Sequence, residues 1–197
     1  MPAAEGAPGV VVVHDWYGLL PHVRGVCDDL VAAGFSALAV DLYDGRWTTD
    51  EGEAEQLMDA LSGDDARARI AQAVRTLRGS GVMAPRISAL AYSMGGQLAL
   101  DVARKGLFDS VVAFYASGSP ADAPLPCPVQ LHLADIVDFE PADLPQQFTA
   151  AVRAGGMPAT DHTYPGTDHS FANADVGYYD AQATAQAWER TVEFLRG

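Results

Sequence analysis

One serine stands where an apolar run turns into a helical pattern, in RISALAYSMGGQLALDVA, residues 86–103. A-Y-S-M-G (91–95) is a variant of the G-x-S-x-G nucleophile elbow, with Ala91 at the first small position and Gly95 at the second. Such a turn projects the hydroxyl away from the backbone, and its small residues let strand and helix pass close together. The helix start also directs backbone N–H groups and a positive dipole end toward any negative charge that develops beside Ser93. The chemistry this permits is attack of the hydroxyl on a carbonyl. The same pattern also fits a serine in an ordinary glycine-rich turn, and the motif alone does not separate the two.

A serine hydroxyl becomes a nucleophile only with a base to take its proton and an acid to orient that base. Five histidines are available. His132 sits inside PVQLHL and reads as a hydrogen-bonded core residue; His22 lies early in a helix and His162 in the last strand, both structural or surface positions. His14 ends the first strand and is placed to line a pocket without acting as base. His169, in the loop G-T-D-H-S-F after the last strand, is the candidate base, and the chain order Ser…Asp…His agrees with a nucleophile elbow. The acid is expected in the loop after PVQLHL, which offers Asp135 and Asp138; Asp168 is adjacent to the histidine, where side chains diverge.

These residues need a scaffold that brings loops far apart in sequence to one edge. GVVVVH (9–14), FSALAV (35–40), ISALAY (87–92), SVVAFY (110–115), PVQLHL (128–133) and a short segment at 159–164 read as strands. Between them lie helical patterns at 23–31, 51–61, 64–78, 94–105 and 144–152, and another closes the chain at 181–195. Strands alternating with helices predict a mostly parallel sheet in a three-layer α/β/α sandwich, with chemistry in the loops beyond the carboxyl ends of the strands. A length of 197 residues fits a single domain, 1–197. 

Composition narrows the partners. Twelve Lys and Arg against 26 Asp and Glu give a net charge of −14, a field that repels nucleic acid and anionic lipid. No apolar run approaches a membrane span and MPAAEGAPG lacks the features of a signal peptide, so a cytoplasmic protein is expected. Cys27 and Cys127 give neither a disulfide framework nor metal spacing, and both read as small buried residues. No metal or organic cofactor is expected.

VVVHDWYGL, AVDLYDGR, AYSMGGQLAL and YPGTDHSFAN, in this order from residue 9 onward, resemble the dienelactone hydrolase family of α/β-hydrolases. The resemblance implies that fold, and hydrolysis of a small ester or lactone substrate. The family nucleophile is usually cysteine, and Ser93 occupies its place; His169 falls on the family histidine. By the same correspondence, Trp16 and Met94 fall on the positions whose N–H groups form the oxyanion hole. Asp15 falls on an acidic position that helps control the nucleophile, and Asp15, Tyr43 and Asn173 are expected around the substrate.

Three departures matter. The N-terminal strands that precede the first parallel one are missing or shortened in this sequence. The family acid position falls on Val137, and a shift of one makes Asp138 the expected acid, with Asp135 as the fallback. The family arginine four residues beyond the histidine is Asn173 here; Arg46, in the DLYDGR loop, reads first as a surface salt-bridge residue and is the one cation that could replace the missing arginine. Trp16, Tyr17, Tyr43, Trp47, Tyr115, Phe139 and Phe171 suggest an aromatic pocket. A second reading is a non-catalytic α/β-hydrolase-fold binding protein with a triad degraded at Val137. Turnover of a simple ester, abolished by Ser93→Ala, separates the two.

Overall fold

The structure is a computed structural model that describes residues 6–79, 85–137 and 141–197. Its strands are β1 (Gly9–Val13), β2 (Ser36–Val40), β3 (Ile87–Tyr92), β4 (Ser110–Phe114), β5 (Val129–Ile136) and β6 (Ala159–Asp168). They form one sheet in the order β2-β1-β3-β4-β5-β6, and every pairing is parallel. The helices are α1 (Pro21–Ala32), α2 (Glu51–Asp59), α3 (Gly63–Gly79), α4 (Met94–Ala103), α5 (Leu144–Ala154) and α6 (Ala181–Arg196).

Side chains alternate across a strand, so a sheet with both faces covered needs apolar residues at every position. That is what β1 shows. Val11 and Val13 join Ala89, Val111 and Leu131 in a core with Ile70 and Val74 of α3, Leu98 of α4 and Phe148 of α5. Val10 and Val12 point the other way, joining Leu90, Val112 and Phe114 against Val23 and Leu30 of α1 and Ala187 and Leu195 of α6. The arrangement is the three-layer α/β/α sandwich expected from the alternation of patterns.

Local chemistry sets the element ends. Asp50 accepts a hydrogen bond from the Glu53 N–H at the start of α2, and Asp180 does the same for the Ala183 N–H at the start of α6. Each cap stabilises its helix by about 1 kcal/mol. β6 runs four residues past the expected 164. Pro165 and Gly166 read as breakers in the sequence, but β6 is an edge strand, where proline is tolerated. Of the two cysteines, Cys127 is buried as expected and Cys27 is half-buried on α1. No helix among the described residues is long and apolar enough to cross a membrane.

Parallel pairing puts the carboxyl ends of all strands on one edge. Asp15 and Trp16 follow β1, Tyr43 follows β2, Ser93 follows β3, Tyr115 follows β4, and His169 follows β6 directly.

Candidate active site

Ser93 caps α4 with φ +47° and ψ −119°, a strained conformation for a residue with a Cβ. The turn is tight because α4 starts against the end of β1. A Cβ on Gly95 would run into the carbonyl of His14, and one on Gly96 would lie 2.6 Å from the Ala116 Cβ. Glycine at 95 and 96 is therefore what lets the helix approach. The first N–H of α4, that of Met94, and the N–H of Trp16 make no hydrogen bond among the described residues.

The Ser93 hydroxyl lies 2.8 Å from His169 Nε2. The two residues are 76 apart in sequence and meet because β3 and β6 deliver them to the same edge. Burial lowers the His169 imidazole from 6.5 to about 4, so at neutral pH it is uncharged and able to accept a proton. Its ring packs at 4.9 Å from Tyr115. Tyr115 has φ +40°, and an L-residue held there costs on the order of 1–3 kcal/mol. In the sequence Tyr115 is one aromatic among several, and nothing local marks it as a strained wall.

Asp138 and Phe139, the expected acid and one of the expected pocket aromatics, lie outside the described residues. Asp135 lines the same cavity as His169, with Tyr115, Leu133 and Pro145. Its carboxylate accepts from the Gly166 N–H at 2.9 Å and makes no hydrogen bond to the imidazole. Asp168 is exposed at the end of β6.

The loop after β1 is held from two directions. His14 accepts the Leu42 N–H at Nε2, so the ring proton is on Nδ1, donated to the Asp15 carbonyl at 2.6 Å. His14 is fully buried, and burial lowers its pKa to about 4; it pins the β1 and β2 loops together and does not line the pocket. The Asp15 carboxylate accepts from the Tyr17 N–H at 3.0 Å and from Asn173 Nδ2 at 2.9 Å. Neither Asp15 nor Asn173 reaches solvent, and desolvation raises the Asp15 carboxyl to about 6. These two residues, expected at the substrate, thus close on each other. Tyr43 is buried as well, with its hydroxyl 3.6 Å from Met94 Sδ.

Asn173 Oδ1 accepts the Asp175 N–H, and Asp175 in turn binds the backbone N–H and Nδ1 of His22. His22 is therefore structural, as is His132, whose ring bonds Tyr164, Gln130 and Thr191. The sequence held no signal for the Asp175–His22 contact, which spans 153 residues. Of the expected aromatics, Tyr17 and Phe171 are core residues and Trp47 is exposed. Arg46 makes no ion pair among the described residues. Its neighbour Asp44 is held instead by a two-pronged contact from Arg69, with distances of 2.7 and 3.1 Å. No cluster of three or more His, Cys, Asp or Glu among the described residues is arranged to hold a metal ion.

The dienelactone hydrolase family model matches residues 1–197. The chain belongs to the dienelactone hydrolase family. Within this family it is a carboxylic ester or lactone hydrolase. It is 28% identical to the carboxymethylenebutenolidase of Pseudomonas putida over 207 residues, covering 98% of this chain and 87% of that one. Among solved structures it is similar to a dienelactone hydrolase-like promiscuous phosphotriesterase from metagenomic libraries. That match has a TM-score of 0.83 at 22% identity, over 98% of this chain and 87% of that one. A thermophilic esterase from Thermogutta terrifontis superposes with a TM-score of 0.74 at 19% identity, over 99% and 83%. The likeness to both structures establishes the shared fold.

Proposed function

We propose that this dienelactone hydrolase-family chain cleaves a small, uncharged ester or lactone through an acyl-enzyme on Ser93. The observation that carries the reading is the 2.8 Å contact between Ser93 Oγ and the part-buried His169 Nε2. His169 takes the hydroxyl proton as the oxygen attacks the carbonyl carbon, then delivers it to the leaving alkoxide. Water, deprotonated by the same imidazole, attacks the acyl-enzyme and releases the carboxylic acid and free Ser93. The N–H groups of Trp16 and Met94 stabilise the tetrahedral oxyanion, each contributing about 3 kcal/mol. Asp138 orients the imidazole and stabilises its cation; Asp135 is committed to Gly166 and suits the role less.

The name of the Pseudomonas putida relative supports including a butenolide-type lactone among the substrates to test. The test of the reading is hydrolysis of p-nitrophenyl acetate by the intact chain and by Ser93→Ala. Turnover that survives the substitution overturns it. No turnover by the intact chain favours a binding protein that keeps the elbow for folding.

A further inference from the structure

Side chains on β4 alternate between the two faces of the sheet up to its end. Val111 and Ala113 belong to the core shared with α3, α4 and α5, and Val112 and Phe114 to the core shared with α1 and α6. Continued alternation would send residue 115 back to the first core. Tyr115 instead joins Phe114 in the second, and Ala116 falls in the first. The positive φ of Tyr115, +40°, makes this reversal. The Tyr115 N–H donates to the His132 carbonyl at 2.6 Å, and the Phe114 carbonyl accepts the Ser93 N–H at 2.9 Å. The reversed residue is therefore fixed between the nucleophile turn and β5.

The reversal carries the Tyr115 ring to His169. Its centroid lies 4.9 Å from that of the imidazole, with the planes at 60°, and 5.7 Å from Phe171, which it meets edge-on. Tyr92 and Phe114 also pack against it, at 6.0 and 6.2 Å. The ring is thus buried among aromatic neighbours with the imidazole as one of them. Its hydroxyl is closed to solvent and has no hydrogen-bond partner among the described residues, so it neither reaches a ligand nor orients a neighbour. A left-handed backbone and an unpaired buried hydroxyl both destabilise the fold. What they place in the site is the flat ring against the imidazole.

We propose that Tyr115 is a positioning residue for the hydrolysis: its ring holds the His169 imidazole with Nε2 toward Ser93, by contact and not through its hydroxyl. The proposal rests on the reading of Ser93 and His169 as nucleophile and base. Tyr115→Gly removes the ring and suits the positive φ, so its effect is not one of backbone strain. It is expected to lower kcat for p-nitrophenyl acetate about a hundredfold with KM little changed, the signature of a misplaced base. Tyr115→Phe restores the ring without the hydroxyl. It is expected to recover kcat to within the roughly fivefold that one hydrogen bond carries, and to raise Tm. Where Tyr115→Gly fails to fold, Tyr115→Leu takes its place, with much of the volume but no flat ring, and kcat lowered roughly tenfold. NMR relaxation at a labelled His169 Cε1 measures the order of the imidazole directly; order should fall in Tyr115→Gly and be kept in Tyr115→Phe. If the intact chain turns over no ester, the nucleophile reading fails and this measurement alone decides on Tyr115. Equal His169 order in all these proteins, or an unchanged kcat in Tyr115→Gly, overturns the proposal. So does a kcat in Tyr115→Phe as low as in Tyr115→Gly, which would move the role to the hydroxyl.

Discussion

The side-chain amide of Asn173 donates to the carboxylate of Asp15 at 2.9 Å, across 158 residues of sequence and with both side chains closed to solvent. The contact joins the loop after β1, which carries Trp16, to the loop after β6, which carries His169. It therefore ties a proposed oxyanion donor to the proposed base. A neutral partner leaves Asp15 uncompensated, and desolvation outweighs the hydrogen bonds it accepts, which is why its carboxyl rises to about 6.

That pair predicts an unusual pH dependence of stability. Asp15 has a folded pKa above its ordinary value of 3.8, so the folded state holds the proton more tightly. The associated stability is present below pH 4 and lost as pH rises through about 6, to a total of about 3 kcal/mol. Asp15→Asn should remove this dependence. The check is the difference in unfolding free energy between the two proteins from pH 4 to pH 7.5, which should grow in favour of the variant. His14 acts in the opposite sense, losing stability as pH falls from 6.5 to about 4, and cancels in that difference. Asn173→Leu, which leaves the buried carboxylate short of a donor, should cost about 1–3 kcal/mol.

Ser93 should be the one residue that reacts with a fluorophosphonate. Intact-mass measurement should find a single adduct that disappears in Ser93→Ala and falls steeply in His169→Ala. Thiol reagents should leave turnover largely intact, since burial pushes both Cys27 and Cys127 up to about 11. An adduct that persists in Ser93→Ala would sink the assignment.

The acid is open to direct substitution. Asp138→Asn is expected to lower kcat by about four orders of magnitude, by favouring the wrong histidine tautomer. Asp135→Asn should cost far less in rate, because its carboxylate serves Gly166, and should show instead as a small loss of stability. A reversal of the two effects assigns the role to Asp135. If neither substitution changes kcat, no carboxylate in this loop orients His169, and Val137→Asp tests whether the family position restores one.

What was legible in the sequence follows from how each feature is encoded. Strands β1 to β5 announce themselves because a sheet covered on both faces demands apolar runs, and the elbow does so because sterics allow few residues at 91, 95 and 96. His169 could be chosen from five histidines by its place after the last strand. Contacts between loops were not legible. Asn173 was placed at a family position, yet nothing local says that its amide meets Asp15, or that Asp175 reaches His22. The end of β6 was missed because Pro165 and Gly166 break a pattern that an edge strand tolerates. Arg46 reads as a salt-bridge residue in the sequence, whereas the carboxylate beside it, Asp44, is held by Arg69.

The pH profile of turnover should extend to unusually low pH. Ser93 attack requires a neutral imidazole, and the folded pKa of His169 is lowered by burial to about 4. Activity on a simple ester is therefore expected to persist as pH falls through 6.5 and to be lost only toward the lowered value. The measurement is kcat/KM for p-nitrophenyl acetate from pH 4 to pH 8, with the folded fraction followed in parallel. An acid limb at 6.5 or above would show that a carboxylate partner stabilises the imidazolium by more than burial disfavours it.

Substrate charge gives the last prediction. A carboxylate bound beside the histidine needs a cation, and the residue four positions beyond His169 is Asn173, whose amide is already given to Asp15. Entry of an anion into a chain of net charge −14 is opposed by the overall field, and its desolvation gains no ion pair at that position. Arg46 is the cation to watch. It has no ion-pair partner among the described residues, and its loop is bridged to the β1 loop through the Gly18–Trp47 pairing. A guanidinium that is exposed to water offers little: such pairs contribute about 0–1 kcal/mol and weaken with salt. An uncharged ester should therefore be hydrolysed with higher kcat/KM than its carboxylate-bearing analogue, and the gap should narrow as salt screens the field. Measuring both substrates at low and high ionic strength, with Arg46→Ala alongside, decides the matter. A preference for the anion that Arg46→Ala removes would assign Arg46 the role of the missing arginine.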